Sequence, residues 1–283
     1  MHVFFSGTEE EEVSSMLDTV GVKDQLVSYL YLVKRGISLT SWLKEKKEKG
    51  IRLFLDSGAH TLLSEETKRD ISYYDDYMNR YLKFLKKYGE YFFCFVELDI
   101  DRLIGIKHVE EWREQIISEL GREPIVVWHE ERGIKTWKEQ CKKYSYNGLA
   151  SRDVYWRYPY ESAMMNIARQ YKTKVHGFAM TAYKSMTRLP YYSVDSTSWL
   201  SGIMWGQTFY RKGLIPGKPK LVTSNKRKRK QYRYFCEKNG IDFNKLVKDE
   251  GNEINKFNAI MWRDYIESIN FYKKKIGIEY WNE

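Results

Sequence analysis

The chain has 283 residues, of which 42% are hydrophobic, 30% charged and 16% aromatic, and this composition excludes a disordered chain as the dominant state. Lys and Arg number 48 against 38 Asp and Glu, so the formal charge is +10, a balance that favours polyanionic partners. No apolar run approaches the ~18 residues of a membrane-spanning helix, so no membrane partner is expected.

The first segment, MHVFFSGTEEEE, carries neither a basic leader nor a long apolar stretch, so no signal peptide is expected. Glu9–Glu12 reads as the acid-rich first turn of a helix. Short apolar runs then alternate with amphipathic stretches, the pattern of βα units. Strands are predicted at His2–Ser6, Gln25–Tyr31, Arg52–Asp56, Phe92–Asp99, Pro124–His129, Tyr146–Ala150, Lys174–Met180 and Tyr191–Asp195. Helices are predicted near 9–19, 37–49, 70–88, 107–120, 133–143, 160–171 and 182–188. In the third of these, Tyr74, Tyr77, Met78, Tyr81, Leu82, Leu85 and Tyr88 step by three and four, which puts them on one helix face. Eight such repeats predict an α/β fold, a (β/α)8 TIM barrel with a basic C-terminal helical extension. Residues 1–200 are expected to form the catalytic barrel. Residues 201–283 are expected to supply the eighth barrel helix and a basic, nucleic-acid-binding helical segment packed on it. There Phe257, Ile260, Met261, Tyr265, Ile266, Ile269 and Tyr272 step helically, and Pro-Gly-Lys-Pro at 216–219 reads as a turn.

The charge is concentrated. Between Ser196 and Cys236 there is no acidic residue, yet Arg211, Lys212, Lys218, Lys220, Lys226, Arg227, Lys228, Arg229, Lys230 and Arg233 all lie there. Trp199, Trp205, Phe209, Tyr210, Tyr232, Tyr234 and Phe235 are interleaved with them. Cations neutralise phosphates and aromatic faces stack on bases, so this stretch is a candidate nucleic-acid surface. A solvated basic loop and helix would have the same composition.

In such barrels the chemistry gathers where strands end. The third predicted strand ends in Asp56-Ser57-Gly58, the fourth in Glu97-Leu98-Asp99 and the eighth in Val194-Asp195-Ser196. Alternation predicts that Glu97 and Asp99 share a face. One aspartate at a strand end reads as a cap for the next helix; three on one rim read as a site. Opposed carboxylates suit glycosyl transfer, one attacking the anomeric carbon while the other handles a proton.

These strand-end motifs resemble the tRNA-guanine transglycosylase superfamily. Asp56-Ser57-Gly58-Ala59-His60 is similar to its Asp-Ser-Gly-Gly-Phe element, and Leu98-Asp99-Ile100 to its Leu-Asp-Ile/Val element. Pro124–His129 stands where the family has Pro-Val-Val-Gln-Gly, and Gly148-Leu149-Ala150 matches its Gly-Leu-Ala. Val175–Met180 resembles Val-His-Leu-Phe-Gly-Ala-Gly, and Val194–Trp199 resembles the Phe-Asp-Ser-Ala-Ser-Tyr stretch that holds the nucleophile. The resemblance spans roughly residues 52–199. It implies Asp195 as nucleophile and Asp56 as the proton-transfer residue that also touches the base. It implies Asp99, Ser57, His129, Met180 and the backbone of Gly148, Leu149 and Ala150 around the base. Arg211, Lys212, Lys226, Arg227, Lys228, Arg229, Lys230 and Arg233 would hold the polymer.

The family's zinc element is missing, because Cys94, Cys141 and Cys236 are far apart, so neither metal nor cofactor is expected. The cysteines read as small buried apolar residues and the compartment as cytoplasmic. His176 reads as a packed strand histidine, and Trp128 and Trp199 as core or pocket walls. The departures favour DNA over tRNA as the polymer, as in relatives from phages and bacterial modification clusters that insert 7-deazaguanines into DNA. The same exchange on tRNA, a hydrolytic N-glycosidase and a non-catalytic nucleic-acid-binding barrel are the alternatives. The resemblance also allows a homodimer.

Overall fold

The computed structural model describes residues 1–34, 39–64, 69–150, 158–200, 208–212, 220–224, 226–248 and 252–278. Eight strands form one parallel sheet: β1 (His2–Ser6), β2 (Asp24–Ser28), β3 (Arg52–Asp56), β4 (Phe92–Phe95), β5 (Val126–Trp128), β6 (Tyr146–Ala150), β7 (Lys174–Phe178) and β8 (Ser193–Ser196). Their order is β4-β3-β2-β1-β8-β7-β6-β5, so β1 pairs with both β2 and β8. The two outer strands approach each other. Val96 and Ile125, just outside β4 and β5, form a parallel bridge. There Ile125 N donates to Phe95 O at 2.8 Å and Glu97 N to Ile125 O at 3.2 Å.

The sheet curls around an apolar cluster of Phe4, Leu26, Phe54, Cys94, Val96, Ile125 and Val127, with Tyr146 and Phe178 against it. Strand periodicity explains the sorting. Phe54 points into that cluster, while Leu53 and Leu55 point out against Tyr74, Tyr77, Tyr81, Leu82 and Leu85. The outer layer holds α1 (Glu11–Thr19), α2 (Tyr29–Leu32), α3 (Leu39–Glu48), α4 (Ala59–Ser64), α5 (Ile71–Tyr88), α6 (Asp101–Ile104), α7 (Ile106–Leu120), α8 (Gly133–Lys143), α9 (Tyr158–Gln170) and α10 (Tyr183–Arg188). α5 starts where the Asp70 side chain accepts from Tyr73 N at 3.0 Å, a standard N-cap. Each large side chain it buries against the sheet contributes about 1.5–3 kcal/mol relative to exposure.

Past residue 200 the expected helical extension is only partly helical. Residues Thr208–Lys212 (β9) and Lys220–Ser224 (β10) pair as antiparallel strands. β-branched and aromatic residues in Thr208-Phe209-Tyr210 and Leu221-Val222-Thr223 favour this over a helix. The predicted turn at 216–219 lies outside the described residues. Helices α11 (Arg233–Lys238), α12 (Phe243–Lys248) and α13 (Glu253–Lys275) follow. α13 shares a core with α1 and α10 through Phe257, Ile260, Met261 and Tyr265 beside Leu17 and Met186. Polar contacts fix its register: Asn258 Oδ1 accepts from Phe209 N at 2.9 Å, and Lys273 Nζ donates to Leu189 O at 2.8 Å. Among the described residues no helix is long and apolar enough to cross a membrane.

Candidate active site

The inward-facing residues of the strands define the rim. Phe4, Leu26 and Phe54 face the interior cluster, so the residues two further on, Ser6, Ser28 and Asp56, face the same way at the C-terminal ends of β1–β3. In the same manner Ser193 leads to Asp195 on β8. The register agrees with this layering: Ser28 sits opposite Asp56, and Phe4 opposite Asp195.

Asp195 accepts three hydrogen bonds. Ser6 Oγ donates to Oδ2 at 2.8 Å, Ala179 N donates to Oδ1 at 2.9 Å, and His176 Nε2 lies 3.3 Å from Oδ1. None of these partners is in the turn that follows β8, so Asp195 is not there as a helix cap. Ala179 has φ +53°, an uncommon angle for a residue with a Cβ, and its amide points at the carboxylate. The His176 ring is fully buried and packs 4.6 Å from the Phe54 ring centroid and 4.4 Å from that of Phe178. It is therefore a packed strand histidine, as expected, and it also contacts the rim carboxylate.

Asp56 is held differently. Its Oδ2 accepts from Gly58 N at 2.9 Å, which closes a tight turn over Ser57, and the Ser28 hydroxyl also bonds to it. Gly58 is required at that turn: its φ is +88°, and a Cβ would stand 2.7 Å from Tyr77 Oη. Burial, then the charges of Asp99 and Asp195, push the Asp56 carboxyl up to about 7. The charges of Asp99 and Asp195 are thus felt at Asp56.

Asp99 Oδ2 lies 3.2 Å from His129 Nε2, which is also 3.6 Å from Asp101 Oδ1. Arg132 Nη2 in turn lies 2.9 Å from Asp101 Oδ2. Glu97 feels the charge of Asp99 but is bonded elsewhere. It is buried against α7, where Arg113 Nε donates to it at 2.6 Å and Val127 N at 2.8 Å. The expectation of a shared face fails because β4 ends at Phe95 and the chain bends before Asp99, with Ile100 N donating to Leu98 O.

Other expected base contacts sort by burial. The side chains of Ser57, Leu149 and Met180 are fully buried. Leu149 and Met180 belong to the core between sheet and helices, so neither side chain is free to line the rim. Leu149 is paired on both sides, with Trp128 and Gly177. Ala150, at the end of β6, is only partly buried. Gly148 leaves room for an aromatic ring, since a Cβ there would stand 2.5 Å from Phe178 Cε2. Trp128 and Trp199 are core residues, and all three cysteines are buried. Among the described residues no group of three metal-ligating side chains is poised to hold an ion.

Of the basic residues, Lys230 and Arg233 are exposed. Arg229 is a correction: it is fully buried, and its Nη1 donates to Leu246 O at 2.9 Å. Burying it anchors α12, so it does not present a cation to a polymer. The side chains of Arg211, Lys212, Lys226, Arg227 and Lys228 lie outside the described residues. Sequence reasoning missed Ser6, Ser193 and Ala179. Ser6 could have been found by applying the strand-end rule to β1 as well.

Two cavities lie away from the rim, one of about 690 Å³ between α7 and α8 and one of about 280 Å³ near His2, Asp24 and Arg52. In the larger, Arg113 and Arg132 are already paired with Glu97 and Asp101. The rim carboxylates therefore carry the chemical argument. No protein-family model, curated protein or solved structure matches the chain.

Proposed function

We propose that the chain is a guanine transglycosylase that exchanges guanine in DNA for a 7-deazaguanine base. The observation that carries this reading is one rim holding two carboxylates in unlike settings. Asp195 is oriented by three donors, and Asp56 is pushed up to about 7 by burial and its neighbours' charges. Unlike settings divide nucleophile from proton carrier. Asp195 attacks C1′ of a deoxyguanosine, the C1′–N9 bond breaks, and guanine leaves with the electron pair and the proton held by Asp56. The incoming base then gives a proton to Asp56 and attacks C1′ as the Asp195 ester bond breaks. Atoms and charge balance, and no cofactor takes part. Asp99, beside His129, is the acceptor for the guanine-like N–H edge.

The scaffold of this reading is a closed (β/α)8 barrel, supported by the Val96–Ile125 bridge between the outer strands and by the position of α13 beside α1 and α10. The target base must leave its stack to reach the rim. The exposed Lys230 and Arg233 suit a phosphate backbone. The preference for DNA over tRNA rests on the missing zinc element and the distinct basic tail.

The test is base exchange with labelled guanine, using DNA and unmodified tRNA in parallel. Label is expected in DNA, and Asp195→Ala is expected to lose at least about a thousand-fold of the rate. Label in tRNA alone would move the activity to the other polymer. Free guanine without incorporation would replace the transferase with a hydrolase.

A further inference from the structure

Beneath Asp195 a hydrogen-bonded line runs through the barrel interior: Tyr146 Oη to Ser193 Oγ, Ser193 Oγ to His176 Nδ1 at 2.6 Å, and His176 Nε2 to Asp195 Oδ1 at 3.3 Å. Its polarity follows from the chemistry of its ends. An ionised carboxylate only accepts, so Nε2 must carry the imidazole proton. A neutral ring then has Nδ1 as acceptor, and Ser193 must donate to it. Ser193 has spent its one proton and accepts from Tyr146. Burial holds His176 below its ordinary pKa and Tyr146 well above its own, so the ring stays neutral and the phenol stays a donor. Besides Asp195 and Ser193, the aromatic rings packed around it among the described residues are Phe4, Phe54 and Phe178.

This line makes the two oxygens of Asp195 unequal. Oδ1 holds two donors on rigid supports, the Ala179 amide and the His176 ring. Oδ2 holds one rotatable hydroxyl, Ser6. The oxygen that becomes the ester link is a poor acceptor and must shed its partners. Shedding one hydroxyl costs less than shedding two fixed N–H groups.

We propose that His176 is a positioning residue that, with Ala179, fixes Oδ1 as the non-attacking oxygen of Asp195, so that Oδ2 forms the bond to C1′. This deepens the transglycosylase reading and rests on it. Its kinetic consequence is asymmetric. Forming the adduct removes charge from the carboxylate, and breaking the C1′–Oδ2 bond returns it to a carboxylate that shares it with Oδ1, the oxygen already facing two donors. His176 therefore favours resolution of the adduct more than its formation.

The experiment traps the covalent protein–DNA adduct, then chases it with excess guanine. His176→Phe keeps the ring volume and removes the donor. Its preformed adduct is expected to resolve about ten- to hundred-fold more slowly, the loss expected for one hydrogen bond to a charged group. Its adduct should form with a smaller loss of rate than the chase shows. His176→Gln, which offers an amide N–H, should restore much of the chase. Equal slowing of both phases, or no rescue by Gln, would assign the ring a packing role only. Should His176→Phe not fold, Ser193→Ala carries the test, since losing the Nδ1 donor weakens the Nε2–H tautomer and slows the chase in the same sense. Nitrogen NMR of the wild-type histidines is the activity-independent arm. His176 should hold the neutral Nε2–H form at and above the ordinary imidazole value of 6.5, since burial lowers its own, and a Nδ1–H form or a protonated ring there overturns the proposal. Wild-type protein that forms no adduct would sink the transglycosylase reading and this role with it, while the spectrum still decides whether the line itself exists.

Discussion

Asp56 has a cost to the fold that its position explains. Burial, and then the charges of Asp99 and Asp195, raise its carboxyl from 3.8 to about 7. Between those values the folded chain binds the proton more tightly than the unfolded one, so this group's contribution to stability falls as pH rises through that window. Asp56→Asn is therefore expected to melt several degrees higher than wild type near pH 8 and no higher near pH 4. Equal shifts at both values would mean that Asp56 titrates as an ordinary carboxylate. Under the proposed exchange the two half-reactions divide: adduct formation needs the protonated acid and fades above about 7, in step with stability, whereas resolution needs the base and gains up to it. The two aspartates of this pair were legible in the sequence because strand-end carboxylates on buried runs are unusual. The donors of Asp195 were not, because serine and alanine carry no such mark and the Ala179 backbone angle is a tertiary outcome.

At the scale of elements, the apolar runs set β1, β3 and β6 to the residue, because runs buried on both faces stop sharply where a charge or turn begins. The ends of β4 and β7 were overestimated, since Glu97-Leu98-Asp99 and Ala179-Met180 continue an alternating pattern after the ladder has ended. That error hid the true office of Glu97. It joins β5 to α7, taking Val127 N and Arg113 Nε in the interior, and burial pushes its carboxyl up against the pull of Arg113. Removing one member leaves a buried charge unpaired, so Arg113→Ala should cost about 3–5 kcal/mol. The double change Glu97→Gln with Arg113→Met should recover most of that loss. Urea unfolding midpoints of the three chains decide this, and a double variant as weak as the single one would show that volume, not charge, is what matters. The β9–β10 pair escaped notice for a related reason: its basic content suggested a helix, while the β-branched and aromatic alternation beneath that charge favoured strands.

For the whole molecule, the charge of +10 is a statement about long-range attraction more than about fold. If Lys230 and Arg233 sit on the polymer, replacing both with Gln should lower the slope of log affinity for DNA against log salt by roughly 1–2. An unchanged slope would remove that face from the contact surface. A last consequence lies in the bond between Ser6 and Asp195, whose partners are 189 residues apart. Closing a loop of that length costs about 5 kcal/mol of chain entropy before any contact offsets it, and parallel strands have no hairpin shortcut. The pairing of β1 with β8 is therefore expected late on the folding route. Until it forms, the aspartate lacks a neighbour that orients it. A nascent or half-folded chain then carries the carboxylate without the weapon, and under the proposed activity, reactivity toward glycosidic bonds would double as a certificate that folding is complete.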